Sequence, residues 1–141
     1  MGQLDGKIAV ITGAGTGIGK GIARAYAREG AKLVIASRNR ETLEGTAAEL
    51  TPHGATVVVV PTDVTKEEQV IALYERVVQE FGRLDISVNN SGVFDGGPLE
   101  DLSLETWQHV VDINLTGVFL CTREAFKIMK AQGGGRIINI G

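Results

Sequence analysis

The sequence predicts an α/β protein built on a doubly wound parallel sheet. Three observations carry that expectation. Short β-branched runs alternate with longer segments of helical period, the pattern of repeated βαβ units. A glycine-rich turn joins the first run to the first helical segment. The 19 glycines of the 141 residues stand at element junctions, where tight turns need backbone angles closed to other residues, and form neither a linker nor a repeat.

Strands are expected at Lys7 to Thr12, Lys32 to Ala36, Thr56 to Val60, Asp85 to Asn89 and Arg136 to Ile140. Between the first two, Gly17 to Glu29 has helical spacing, with Ile18, Ile22 and Ala25/Tyr26 facing inward and Gly30 as its stop. Val70, Leu73/Tyr74, Val77/Val78 and Phe81 define a later helix, started by a capping box at Thr65-Lys66-Glu67-Glu68 and ended by Gly82. From Ser103 to Ala131 helical spacing runs through Val111, Leu115, Val118, Thr122, Phe126 and Met129. That is longer than a typical globular helix and suggests two helices with a bend. No repeat or domain boundary interrupts the chain, so residues 1–141 read as one domain.

Composition narrows the function. With 43% hydrophobic residues, 22% charged and a net charge of -3, the chain is expected to be a soluble protein with no electrostatic preference for nucleic acid or anionic membrane. A lone cysteine, Cys121, cannot close an internal disulfide, and the N-terminal residues show no apolar signal-type stretch. The expected location is the cytoplasm. Apolar runs such as Val57 to Val60 fall far short of the ~20 residues that span a bilayer. His53 and His109 lack partners at ligand spacing, so they are expected at the surface with no metal. Trp107 is expected to pack, and Cys121 to be inert.

The chemistry concentrates in Gly13-Ala14-Gly15-Thr16-Gly17-Ile18-Gly19, between a buried strand and a helix. Such a turn lets the backbone approach a pyrophosphate while free amide groups and the helix dipole favour its charge. Alone, the glycine spacing is a weak signal, also compatible with a tight turn that binds nothing. The second strand ends at Ala36-Ser37-Arg38, where a dinucleotide fold reads the adenosine ribose. An acid there would hydrogen-bond a free 2′-hydroxyl and repel a 2′-phosphate; a guanidinium can pair with that phosphate. Arg38, helped by Ser37, therefore favours NADP(H) over NAD(H), with Arg40 as a second candidate and a solvated arginine as the bland alternative. Asp63 can accept from an adenine amino group or cap a turn before Thr65. Asn90 and Gly92 stand at the end of the fourth strand beside the ligand crevice of open parallel sheets. Asn114 interrupts an apolar helical stretch and would need partners if buried.

Taken in order, Thr12-Gly13-Ala14-Gly15-Thr16-Gly17-Ile18-Gly19, Asp63-Val64, Asn89-Asn90-Ser91-Gly92 and Asp112-Ile113-Asn114-Leu115 resemble the TGxxxGxG turn, the adenine-contacting aspartate, the NNAG motif and the tetrad asparagine of the classical short-chain dehydrogenase/reductase family. Ser91 departs from the family's alanine by one hydroxyl. The resemblance implies a Rossmann-type sheet of order 3-2-1-4-5. Its cofactor contacts would come from Gly13, Gly15, Thr16, Gly17, Ile18 and Gly19, from Ser37 and Arg38, from Asp63 and Val64, and from Asn90, Ser91, Gly92 and Ile113. It implies a catalytic contribution from Asn114, as a kink former whose backbone holds a relay water, and a small alcohol or carbonyl substrate. It also implies a homodimer or homotetramer in which the helix from Leu115 to Ala131 packs against its copy. The family's Tyr-x-x-x-Lys pair does not occur here, since Tyr26 and Tyr74 are followed four positions on by Gly30 and Val78. The expectation is therefore a cofactor-binding portion that stops before the sixth and seventh strands and is inactive alone. A non-catalytic nucleotide-binding or regulatory module remains the alternative. A methyltransferase fits less well, having no use for Asn89-Asn90-Ser91-Gly92.

Overall fold

The computed structural model describes residues 2–141. Strands and helices follow in the order β1 (Ile8–Thr12), α1 (Gly17–Arg28), β2 (Lys32–Ser37), α2 (Arg40–Leu50), β3 (Val57–Pro61), α3 (Glu67–Phe81), β4 (Ile86–Asn89), α4 (Leu104–Val111), α5 (Gly117–Gln132) and β5 (Arg136–Asn139). The five strands form one sheet of order β3-β2-β1-β4-β5, and every pairing is parallel. The strands lie within a residue of where the β-branched runs put them.

Both faces of the sheet are covered over its central strands β2, β1 and β4, because parallel strands joined by helical crossovers must bury both. Strand β1 is buried at all five positions, and its alternate residues serve different layers. Ile8 and Val10 join Leu73, Val77 and Ala125 of α3 and α5, whereas Ala9 and Ile11 join Ala23 and Leu43 of α1 and α2. β1 pairs with β2 on one side and with β4 on the other. The chain thus reverses its winding direction at β1, and the carboxyl ends of β1 and β4 flank the crevice that such a reversal opens.

Three expectations about helices need correction. In α1 the fully buried positions are Gly19 and Ala23, while Ile18 is 66% exposed and Ala25 is also exposed. Ile22 and Tyr26 are partly buried, as expected. The helix approaches the sheet so closely that only the smallest residues fit, and a reading weighted to large apolar side chains misses them. No capping box forms at α3. Its N-cap is Lys66, with no side-chain cap, because the Thr65 hydroxyl donates to Asp63 Oδ1 at 2.6 Å instead. Glu67 and Glu68 still place negative charge in the first turn, where the helix dipole favours it.

The long helical segment is interrupted by a π-helical turn at Asp112–Thr116, with the Gly117 N–H donating to the Asp112 carbonyl. Of the stripe from Val111 to Met129, only Met129 is buried; the core contacts of α5 come from Gly117, Leu120, Cys121 and Ala125. Leu115, Phe119 and Phe126 form a second apolar stripe that is exposed. Two apolar stripes on one helix leave its inward phase undetermined by periodicity alone.

Candidate functional site

The end of β1 is tied to the end of β4 through one hydroxyl. Thr12 Oγ1 accepts from the Asn90 and Ser91 amides at 3.0 and 3.1 Å and lies 3.4 Å from the Val88 carbonyl, to which it donates. Gly13 follows with φ +65°, a left-handed angle that favours glycine. Gly19, on the first turn of α1, packs directly beneath it, and a Cβ there would collide with the Gly13 carbonyl and with Asn90 Nδ2. Asn90 Nδ2 also donates to the Gly13 carbonyl at 3.2 Å. Gly19 and Asn90 thus brace the turn from behind.

In front of the turn lies an open cavity of about 360 Å³. Of the residues expected at a cofactor, Gly13, Gly15, Thr16, Ser37, Arg38, Asp63, Val64, Ser91, Gly92 and Ile113 line it. Gly17, Ile18, Gly19 and Asn90 do not; they sit at the start of α1 or support the turn. Asn39, Thr42, Thr62 and Val93 also line the cavity and were missed. Asn39 carried a readable signal: its Oδ1 accepts from the Thr42 amide at 3.2 Å and caps α2, the ordinary use of an asparagine before a helix. Thr42 carried none, since only the fold brings it against Gly15, where a Cβ would strike its hydroxyl.

Arg38 is exposed and has no ion-pair partner among the described residues. Arg40, the second candidate, instead pairs with Glu44 at 3.5 Å and lies outside the cavity wall. No carboxylate stands at the end of β2. Asp63, across the opening, does cap its turn: Oδ1 accepts from the Thr65 amide at 2.9 Å and from the Thr65 hydroxyl. Its own amide donates to Gln69 Oε1 at 2.8 Å. Partial burial opposes its ionisation, but the two Thr65 hydrogen bonds and the charges of Arg38 and Lys66 outweigh it. The Asp63 carboxyl is held below its ordinary range. Its Oδ2 makes no hydrogen bond among the described residues, so turn capping leaves an acceptor available at the cavity.

Asn114 lies in the π-helical turn and is exposed rather than buried. Its side chain nevertheless makes two bonds to one main-chain unit: Oδ1 accepts from the Val93 amide at 2.8 Å and Nδ2 donates to the Val93 carbonyl at 2.7 Å. This pair fastens the segment after Gly92 to the π-helical turn. Asn89 braces the neighbouring strand, with Nδ2 donating to Asn139 Oδ1 at 2.8 Å and to Thr122 Oγ1 at 3.1 Å.

Other reactive side chains are poorly placed for chemistry. Burial pushes the Cys121 thiol up to about 12, so it carries little thiolate. His53 and His109 are exposed. Among the described residues no group of three or more histidine, cysteine or acidic side chains is placed to hold a metal ion, and no helix is long and apolar enough to cross a membrane.

The sheet order, the glycine turn at its winding reversal and the cavity between them define a parallel α/β protein of nucleotide-binding architecture. Comparison with known proteins makes this specific. The short chain dehydrogenase family model matches residues 7–141. The chain is 40% identical over 134 residues to the uncharacterized oxidoreductase YxjF of Bacillus subtilis, covering 95% of this chain and 52% of that protein. It is 40% identical over 141 residues to the short chain dehydrogenase/reductase astE of Aspergillus oryzae, covering 98% of this chain and 54% of that one. The crystal structure of a short-chain type dehydrogenase/reductase from Mycobacterium marinum superposes with a TM-score of 0.94 at 41% identity, over 96% of this chain and 56% of that one. The chain belongs to the short-chain dehydrogenase/reductase family, and it spans about half the length of these relatives.

Proposed function

We propose that this chain is the NADP(H)-binding part of a cytoplasmic oxidoreductase acting on a small alcohol or carbonyl compound. The observation that carries the cofactor choice is the cavity wall at the end of β2, which presents the unpaired Arg38 guanidinium beside Ser37 and no carboxylate. The donor set suits a dinucleotide. Gly13 and Gly15 let the turn pack against Asn90 and Thr42, Gly17 has open space where a Cβ would stand, and the start of α1 offers free amide groups to a pyrophosphate. Val64 and Ile113 supply apolar wall, and Asp63 keeps an ionised acceptor there.

A bound nicotinamide supplies hydride exchange. This chain's residues would bind and orient: the glycine turn holds the pyrophosphate, Arg38 and Ser37 take the 2′-phosphate, and Asp63 accepts from the adenine amino group. Asn114 fixes the Val93 segment on the nicotinamide side through its two main-chain bonds, and the resemblance adds a relay water held at its backbone. Fluorescence titration of the protein with NADPH and NADH tests the reading. NADPH is expected to bind tighter by about tenfold or more, the worth of one charge-assisted hydrogen bond; equal or tighter NADH binding contradicts it.

The exposed stripe of Leu115, Phe119 and Phe126, respectively 67%, 57% and 57% exposed, supports assembly through α5. Such an exposed apolar stripe is expected to be covered by a second copy. Sedimentation of the complete protein should give a dimer or tetramer, and a stable monomer would count against this interface.

A further inference from the structure

We propose that Thr46, two turns into α2 and outside the cavity, is a positioning residue that aims the Gly15 amide at the cofactor's pyrophosphate. The inference rests on the cofactor reading above and extends it to a residue that does not touch the cavity.

Thr46 is fully buried. Its hydroxyl reaches the carbonyl of Ala14, thirty-two residues away, at 3.1 Å, and its own helix's Thr42 carbonyl at 3.3 Å. A helical threonine finds the second acceptor in any fold, since it lies four residues back. The first exists only because α2 packs against the glycine turn. Ala14 is itself fully buried, so its carbonyl would otherwise be a desolvated acceptor lacking this donor.

The orientation follows from peptide geometry. No cis peptide occurs among the described residues, and across a planar trans peptide the C=O of one residue and the N–H of the next point in opposite directions. Holding the Ala14 carbonyl toward Thr46 therefore turns the Gly15 N–H away from α2. That N–H has no acceptor among the described residues, and Gly15 lines the cavity. The preceding peptides are fixed as well, the Gly13 amide donating to the Ala36 carbonyl at 2.7 Å. One further hydrogen bond at Ala14 completes the definition of the turn. Asn39, the N-cap of α2, and Thr42, on the same helix as Thr46, stand in the cavity wall, so α2 links the ribose end of the site to its pyrophosphate end.

The test compares Thr46→Val, which keeps the shape and removes the hydroxyl, with Thr46→Ser, which keeps the hydroxyl, and uses Thr46→Ala as a second hydroxyl-free variant. Dissociation constants for NADPH and NADH are measured together with ¹⁵N relaxation of the Gly15 and Thr16 amides in the nucleotide-free full chain. Thr46→Val should weaken both dinucleotides by about three- to tenfold, the equivalent of one ordinary hydrogen bond, and leave their ratio unchanged because both carry the pyrophosphate. The Gly15 and Thr16 order parameters should fall, and Thr46→Ser should restore both readouts. Wild-type affinity and wild-type amide order in the hydroxyl-free variants would overturn the proposal. So would a loss of global stability with affinity and turn order unchanged, which would leave Thr46 a fold residue only. If the wild type binds neither dinucleotide, the cofactor reading fails, while the amide order still decides whether Thr46 sets the turn.

Discussion

Residues 1–141 expressed alone should consume no NADPH at an enzymatic rate with any ketone or aldehyde. Hydride arriving at a carbonyl carbon leaves charge on the oxygen, and a placed acid contributes on the order of 10²- to 10⁴-fold to that step. Neither tyrosine can take the role. Tyr74 is buried, its hydroxyl lies 2.7 Å from Ser87 Oγ, and desolvation pushes its pKa well above the usual phenol value. Tyr26, on α1, is partly buried against the core, and burial raises it too. A catalytic phenol needs the opposite shift and an open approach to substrate. Saturable, protein-dependent turnover by residues 1–141 of verified mass would show that a group on this chain supplies the proton and would overturn the assignment.

Arg38→Asp should invert the cofactor preference. The substitution removes the guanidinium partner of a 2′-phosphate, sets a carboxylate against it, and offers that carboxylate to the free 2′-hydroxyl of NADH. Arg38 is exposed, so solvent and salt screen part of each effect. A loss of NADPH affinity on the order of ten- to a hundredfold is still expected for a charge-assisted contact, with NADH binding unchanged or tighter. In the wild type, added salt should weaken NADPH more than NADH. The new carboxylate would also replace the positive charge that helps hold Asp63 ionised, so the Asp63 pKa should rise in the variant. An Arg38→Asp protein that keeps its NADPH preference would mean that this side chain does not read the ribose.

Much of this site is legible in the sequence because its parts are local. A β-branched run, a glycine turn and a helical period are contiguous, so β1, the turn and α1 could be placed from the order of residues, and with them Gly13, Gly15 and Thr16 of the cavity's lining; Ser37 and Arg38 followed from the end of β2, and Asp63, Val64, Ser91, Gly92 and Ile113 from the motifs that carry the family resemblance. What stayed hidden depends on contacts between distant segments. Thr12 looks like any strand threonine until Asn90 and Ser91 are brought to its hydroxyl, and Thr46 looks like any helical threonine until Ala14 lies beside it. Periodicity failed where a helix carries two apolar stripes or uses glycine and alanine as its contact residues, as in α5 and α1. The Thr65 capping signal failed because Asp63, two residues earlier, competes for the same hydroxyl. Asn114 stands out in the sequence as a residue that would need partners if buried; it is exposed and yet partnered. The partners are main-chain atoms of Val93 beside an exposed π-helical turn, an arrangement that helix propensity alone does not specify.

The central claim is that the wall at Ser37 and Arg38 recognises a 2′-phosphate. Its most direct test uses two small ligands that differ only there. Calorimetric titration with 2′,5′-ADP and with 5′-AMP removes the nicotinamide half and any dependence on turnover. Tighter binding of 2′,5′-ADP, with the difference abolished in Arg38→Asp, is the predicted result. Equal affinity for the two, or a preference for 5′-AMP, would contradict the account.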